Sequence, residues 1–277
     1  MGTPEADVYE MPIVAHIIYR TRIHTHTGIA AITKRNFFQQ LVITHRDSAI
    51  RTLEDLRGKR VAQMGWYQHS MAVWLRGHLS DRFGIDPSEI SWFTERPSLY
   101  DLDESAKAPI TVVQDGRSHL QLLLDGDVDA LIHEAAHQYV TRHLELRRVL
   151  SNYKEEETTY FRETDCFPLN HALVIRREIV DEHPWVAGSL LRAFDEAQQL
   201  AIEGMEHNNA TVSSPWMDGL LEEVAALSDN LFPNGRERTR PQIERLVRHL
   251  HEQRLIPRRI PVEELFADDS LVNLPGD

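Results

Sequence analysis

Apolar positions along the chain fall into two kinds of run. Leu41-Val42-Ile43-Thr44, Val61-Ala62-Gln63, Ile90 to Thr94, Ile110 to Val113, Val128 to Ile132 and His171 to Ile175 have the length and β-branched content of strands. Between them lie stretches with helical spacing. Leu53 to Lys59 reads as a helical turn closed by Gly58, and Ser70 to Leu79 carries a helix that ends near Gly84. Ser118 to Leu124 is amphipathic and turns at Asp125-Gly126-Asp127 into the next strand, while polar Glu95 to Pro109 predicts a surface loop. Beyond Ile179 the pattern is mostly helical. Pro184 suits a first turn, with Val186, Leu190, Phe194, Ala197 and Ala201 following at helical spacing, and Ile243, Leu246, Val247 and Leu250 mark another helix before Pro257. The alternation predicts an α/β fold with a parallel or mixed sheet under helices, and a helical C-terminal part.

Composition narrows the partners. Lys plus Arg number 30 against 43 for Asp plus Glu, a formal charge of −13, and the basic residues form no block, so nucleic acid is not an expected partner. The apolar stretch Ile13 to Tyr19 is too short to span a bilayer, so no membrane is expected either. Cys166 is the single cysteine, which precludes an intrachain disulfide; with no basic segment and apolar core opening the chain, a cytoplasmic location is expected. A homo-oligomer remains open.

Two segments add a family resemblance. Ile50 to Val61, reading IRTLEDLRGKRV, resembles the start of the second lobe in type II periplasmic binding proteins, and Leu122 to Ile132, LLLDGDVDALI, resembles their helix–turn–strand. Tyr67 to Gly77, YQHSMAVWLRG, is similar to a stretch of the 4,5-dihydroxyphthalate decarboxylase family. So are Ile90-Ser91-Trp92, Phe167-Pro168-Leu169-Asn170-His171 with the VIRRE that follows, His183 to Ala187, His251 to Leu255 and Glu263 to Ala267. The resemblance runs from about Ala6 to Phe266. It implies a two-lobed type II periplasmic-binding-protein-like fold with mixed sheets flanked by helices. Lobe 1 would comprise residues 1–48 plus 171–277 and lobe 2 residues 49–170, the family's first strand and helix being absent from the match. It also implies cofactor-free decarboxylation of a small, hydroxylated aromatic carboxylic acid. A non-catalytic, ABC-transporter-type solute-binding protein for a small aromatic or anionic ligand is the alternative, since the same cleft serves both. One stretch departs from the family. Where members read SRxFRHS, this chain has Lys34 to Gln40: Arg35 and Phe37 are kept, while Phe38, Gln39 and Gln40 replace an Arg, a His and a Ser.

Decarboxylation without a cofactor needs donors or cations to orient the acid and a proton source for the ring carbon. His171, closing the Phe167-Pro168-Leu169-Asn170 segment, is the candidate acid, with His69 as its orienting partner. The Tyr67-Gln68-His69-Ser70 turn offers an anion cradle at a helix start. Tyr67 and Trp74 are candidate walls for an aromatic ring, and Arg35, Phe37, Gln68, Ser70 and Arg76 complete the expected substrate contacts. His133-Glu134-Ala135-Ala136-His137 satisfies HExxH, a pattern that on one helix holds zinc. No third ligand motif follows, so no cofactor is required, although His133 and His137 at a cleft mouth remain a possible divalent-metal pair. His24 and His26, at strand spacing, read as a polar face. His249 and His251 read as surface residues, and Cys166 has no evident partner base.

Overall fold

The computed structural model describes residues 6–100, 108–206, 217–228 and 232–271. In chain order the elements are β1 (Val8–Pro12), α1 (Ile13–Arg20), β2 (His26–Arg35), β3 (Val42–His45), β4 (Arg60–Gln63), α2 (Ser70–Phe83), β5 (Ser91–Thr94) and β6 (Ile110–Val112). Next come α3 (His119–Leu124), β7 (Ala130–Ile132), α4 (Ala136–Arg142), β8 (Leu146–Arg148), α5 (Tyr153–Thr164) and β9 (Leu169–Arg176). Helices α6 (Arg177–Glu182), α7 (Val186–Glu206), α8 (Met217–Leu227), α9 (Arg236–Glu252) and α10 (Val262–Leu265) complete the described chain. Part of the expected 95–109 loop lies outside the described residues.

The strands form two sheets. Strand β9 lies between β1 and β2, antiparallel to both. The second sheet runs β6-β5-β4-β7-β3-β8, with β4 to β7 parallel and β3 antiparallel to both its neighbours. The fold is therefore mixed α/β, as the alternation of short strands and helices implies. One boundary differs from the expectation. Strand β3, assigned to lobe 1 by the 1–48 boundary, pairs with β7 and β8 in the second sheet, so the chain crosses between Arg35 and Val42. The DLRGKRV motif marks the approach to β4, one strand after the crossing. Val42, Ile43 and Thr44 are all buried, and only an interior position satisfies the main chain on both edges of such a strand. The chain returns to the first sheet at Leu169.

Helix α2 joins the two halves of the core. Its Trp74 is wholly buried and donates Nε1–H to the Leu169 carbonyl at 2.8 Å, where β9 begins. Gly84 closes the helix with φ +62°, a conformation that costs glycine little. On its other side α2 packs against α9, and the contact explains a glycine inside a helix. A Cβ on Gly77 would lie 2.2 Å from the His249 ring. His249 is thus a core residue and not the surface residue expected from its spacing of two from His251 on a helix. It is 2% exposed, lies edge-on to Trp74 and faces Asp81 at 3.1 Å. His26 is likewise buried at the start of β2 while His24 is exposed, so the pair shares no polar face. Replacing Gly77 by Ala should destabilise the fold by about 1–2 kcal/mol, because overpacking outweighs the roughly 1 kcal/mol gain in helix propensity. Thermal melts should show the loss, and adding His249→Ala should reduce the cost of the Gly77 change.

Among the described residues no helix is long and apolar enough to cross a membrane.

Candidate functional site

The carboxyl ends of the parallel strands β4 and β7 lie side by side, so the segments leaving them converge, the usual place for a ligand in an α/β sheet. From β4 the chain turns at Gly65, φ +71°, and enters α2 with His69 as its N-cap residue, whose side chain makes no capping bond. From β7 it runs directly into His133 and Glu134. The first sheet meets this point with the ends of its own strands. Register pairs Lys34 of β2 with His171 of β9, after a bulge that sets five residues of β2 against two of β9. Such irregularity re-aims side chains at the end of a sheet.

Glu134 is the hub of the resulting cluster. Lys34 Nζ lies 2.6 Å from its Oε2 and Asn170 Nδ2 donates to its Oε1 at 3.1 Å, both from the first sheet. His69 Nε2 stands 3.8 Å from the same Oε1. One step along, the Glu10 carboxylate accepts from Thr33 Oγ1 at 2.7 Å and lies 2.9 Å from His171 Nδ1. Ser70 Oγ donates to the Asn170 carbonyl at 3.4 Å. Five elements thus place two imidazoles, two carboxylates, an ammonium and an amide together.

The charges are tuned by this packing. Burial raises the Glu134 carboxyl, but hydrogen bonds from Lys34 and Asn170 and the charges of Lys34 and His69 outweigh it and hold it below the usual carboxylate range. Glu10 is held low chiefly by the Thr33 hydrogen bond, with His171 and Lys34 adding to it against the opposing effect of burial. His69 is pushed down to about 4 by burial, against the attraction of Glu134. At neutral pH its ring is therefore uncharged, suited to orienting a ligand and not to delivering a proton. A histidine depressed in the folded state stabilises the fold fully above the unfolded value of about 6.5, and that contribution declines as pH falls toward 4. His69→Gln should therefore flatten the fall of melting temperature between pH 7 and 5. The His69 ring signals in a nuclear magnetic resonance titration should move only below pH 5.

The other expected contacts are distributed differently. Lys34 and Arg35 are consecutive on a strand and point to opposite faces. Arg35 turns away from the cluster and donates to the carbonyls of Ile32 and Pro233, its charge disfavoured by burial to about 10. Phe37, Tyr67 and Trp74 are core residues with at most 7% exposure and offer a ligand no surface. Arg76 is buried too. It donates to Gln253 Oε1, Gln63 Oε1 and the Tyr67 carbonyl at 2.7–2.8 Å and stacks 3.8 Å over the Tyr67 ring. Gln68 holds the loop at residues 99–100 through Leu99 N–H and the Tyr100 carbonyl. The YQHSMAVWLRG stretch therefore supplies His69 to the cleft and spends Ser70, its aromatic residues and its arginine on packing.

The HExxH segment is not a single helix. Helix α4 begins at Ala136, after His133, so the two histidines do not stand one turn apart on a common face. His133 Nδ1 accepts from Ala135 N–H at 2.9 Å and Nε2 lies 3.3 Å from Tyr139 Oη, while His137 is exposed. No cluster of three His, Cys, Asp or Glu suited to a metal occurs among the described residues. Cys166 is buried and its thiol is pushed up to about 12 by burial, so it is no nucleophile.

Residues 16–205 match the sequence model of a family described as "ABC transporter, phosphonate, periplasmic substrate-binding protein". The chain belongs to that family. A curated relative is 4,5-dihydroxyphthalate decarboxylase of Comamonas testosteroni, 26% identical over 97% of this chain and 84% of its own. Among solved structures, the periplasmic aliphatic sulphonate binding protein SsuA from Escherichia coli aligns over 97% of this chain and 78% of its own, with a TM-score of 0.54 at 15% identity. A mutant of DSZB in complex with biphenyl-2-sulfinic acid aligns over 95% and 84%, with a TM-score of 0.56 at 15% identity. These structures establish the periplasmic-binding-protein fold. The family is described as periplasmic, which lends no support to the cytoplasmic location expected from the sequence.

Five members of the cluster escape sequence reasoning as ligand contacts: Glu10, Thr33, Lys34, Glu134 and Asn170. Glu134 and Asn170 adjoin residues that do carry a signal, inside HExxH and before His171. Lys34 is overshadowed by Arg35, and nothing in the sequence distinguishes Glu10 from any other acidic strand residue.

Proposed function

We propose that the cleft binds a small hydroxylated aromatic carboxylate and removes carbon dioxide from it without a cofactor. The carrying observation is the His171–Glu10 pair beside Lys34, Asn170 and His69, a proton-bearing group next to donors for an anion. The full-length similarity to a decarboxylase supports the same reading. The acid's carboxylate lies against Lys34, competing with Glu134 for its hydrogens. The carbon–carbon bond to that carboxylate breaks, carbon dioxide leaves, and the bonding pair stays on the ring carbon. When both nitrogens of His171 are protonated, Nδ1–H donates to Glu10 and Nε2–H supplies the proton that this carbon takes up. His69, uncharged, donates to or accepts from a ring hydroxyl.

A panel of hydroxylated benzoates and phthalates, followed by carbon dioxide release and calorimetry, tests the proposal. Release from at least one member is the expected result. Saturable binding without release favours the second reading, a solute-binding protein for small anions. That alternative is supported by the description of the matching family and by the neutralisation of Lys34 by Glu134.

A further inference from the structure

Strand β8 is the edge of the six-stranded sheet, and pairing with β3 brings its residues beside the segment that follows β3. Two arginine pairs distant in sequence meet there. Arg46, Arg51, Arg147 and Arg148 line one concavity of about 670 Å³. None of the four has a carboxylate oxygen within 4 Å among the described residues. In a chain of net charge −13, four arginines without a carboxylate at ion-pair distance converge on one concavity.

Main-chain carbonyls, which add no charge, hold them in place. Arg147 donates to the Ser48 and Ile50 carbonyls at 3.1 and 2.6 Å, and Arg51 to Ser48 as well. Arg46 Nε donates to the Leu144 carbonyl at 2.6 Å and Arg148 Nε to that of Gln40 at 3.2 Å. The Nη groups of Arg46 and Arg148 have no protein acceptor among the described residues. Arg148 also stacks 4.7 Å over Tyr153, a residue of the concavity. Helix α5 begins next to the groove at Tyr153, but Glu155 and Glu156 in its first turn offset its positive end, so the anion-binding character of the groove comes from the arginines.

We propose that this groove is a second ligand site, separate from the cleft, that takes a small organic diphosphate. Guanidinium forks pair bidentately with phosphate oxygens, and four of them exceed what one carboxylate can engage. The volume is several times that of a phosphate group, and Tyr153 with the half-buried Val140 gives an apolar face for the organic body. The backbone-fixed arginines meet the ligand with little loss of side-chain freedom.

Calorimetry on the full chain with pyrophosphate and with ADP tests the site. Saturable one-to-one binding of both is expected, tighter for ADP and weakening as salt rises. Joint substitution Arg46→Ala and Arg148→Ala should weaken it at least tenfold, and Arg46→Gln with Arg148→Gln, which keeps donors for the two carbonyls, should do the same should the alanine variant misfold. His69→Ala should leave it unchanged. Absence of binding, equal heat from sulfate at matched ionic strength, or sensitivity to His69→Ala without sensitivity to the arginine pair would each overturn the proposal.

Discussion

His171→Ala should lower the rate of carbon dioxide release by about 10²- to 10⁴-fold, the range general acid catalysis contributes, while ligand affinity changes by less than about tenfold. The split follows from the geometry. His171 Nδ1 lies 2.9 Å from Glu10 with the ring 26% exposed, whereas the group proposed to bind the anion, Lys34, is a different side chain. Glu10→Gln removes the charge but retains an acceptor oxygen for Thr33 and the imidazole. It should cost less than His171→Ala and move the alkaline limb of the pH–rate profile, where a general acid loses its proton, to lower pH, which a purely packing role for Glu10 would not do. A His171→Ala enzyme as fast as the wild type would remove this histidine from the chemistry.

Trp74→Ala should destabilise the protein by about 3–5 kcal/mol in the absence of any ligand, the usual cost of truncating a buried indole. At roughly 2–4 °C per kcal/mol for a chain of this size, the melting temperature should fall by about 6–20 °C. The residue has no exposed surface, and its loss leaves the Leu169 carbonyl without its donor where β9 begins. An unchanged melting temperature with weakened ligand binding would return Trp74 to the wall of the site.

The sequence carries the architecture well because strand and helix periods are local. Most strands expected from apolar runs occur within a residue or two of their observed ends, and so does α3; α2 begins at Ser70 and ends beside Gly84 as expected, while α9 contains Ile243 to Leu250 but starts earlier, at Arg236. Its reading of the site is only partial, for physical reasons. Tyr67, Trp74 and Arg76 look like ligand contacts because aromatics and arginines suit an aromatic acid. The same properties let Arg76 lie against both the Tyr67 and Trp92 rings and satisfy three buried acceptors. Lys34 and Glu134 lie a hundred positions apart and meet only because one sheet ends against the other. No local pattern encodes that encounter. The HExxH match failed where periodicity failed, since the main chain leaves β7 without becoming helical until Ala136.

The Lys34–Glu134 contact has a further consequence for measured affinities. Under the proposed function, Glu134, which holds Lys34 and Asn170, acts as a tethered competitor for the incoming anion. An observed dissociation constant then reports an exchange of one carboxylate for another and understates the intrinsic strength of the site. Such exchange favours dianions, which replace the resident charge and still engage a second donor, over monoanions that merely swap with it. Because Lys34 and Glu134 belong to different sheets, each exchange also releases a clasp between them, and ligand binding is thereby tied to how the two halves of the molecule meet.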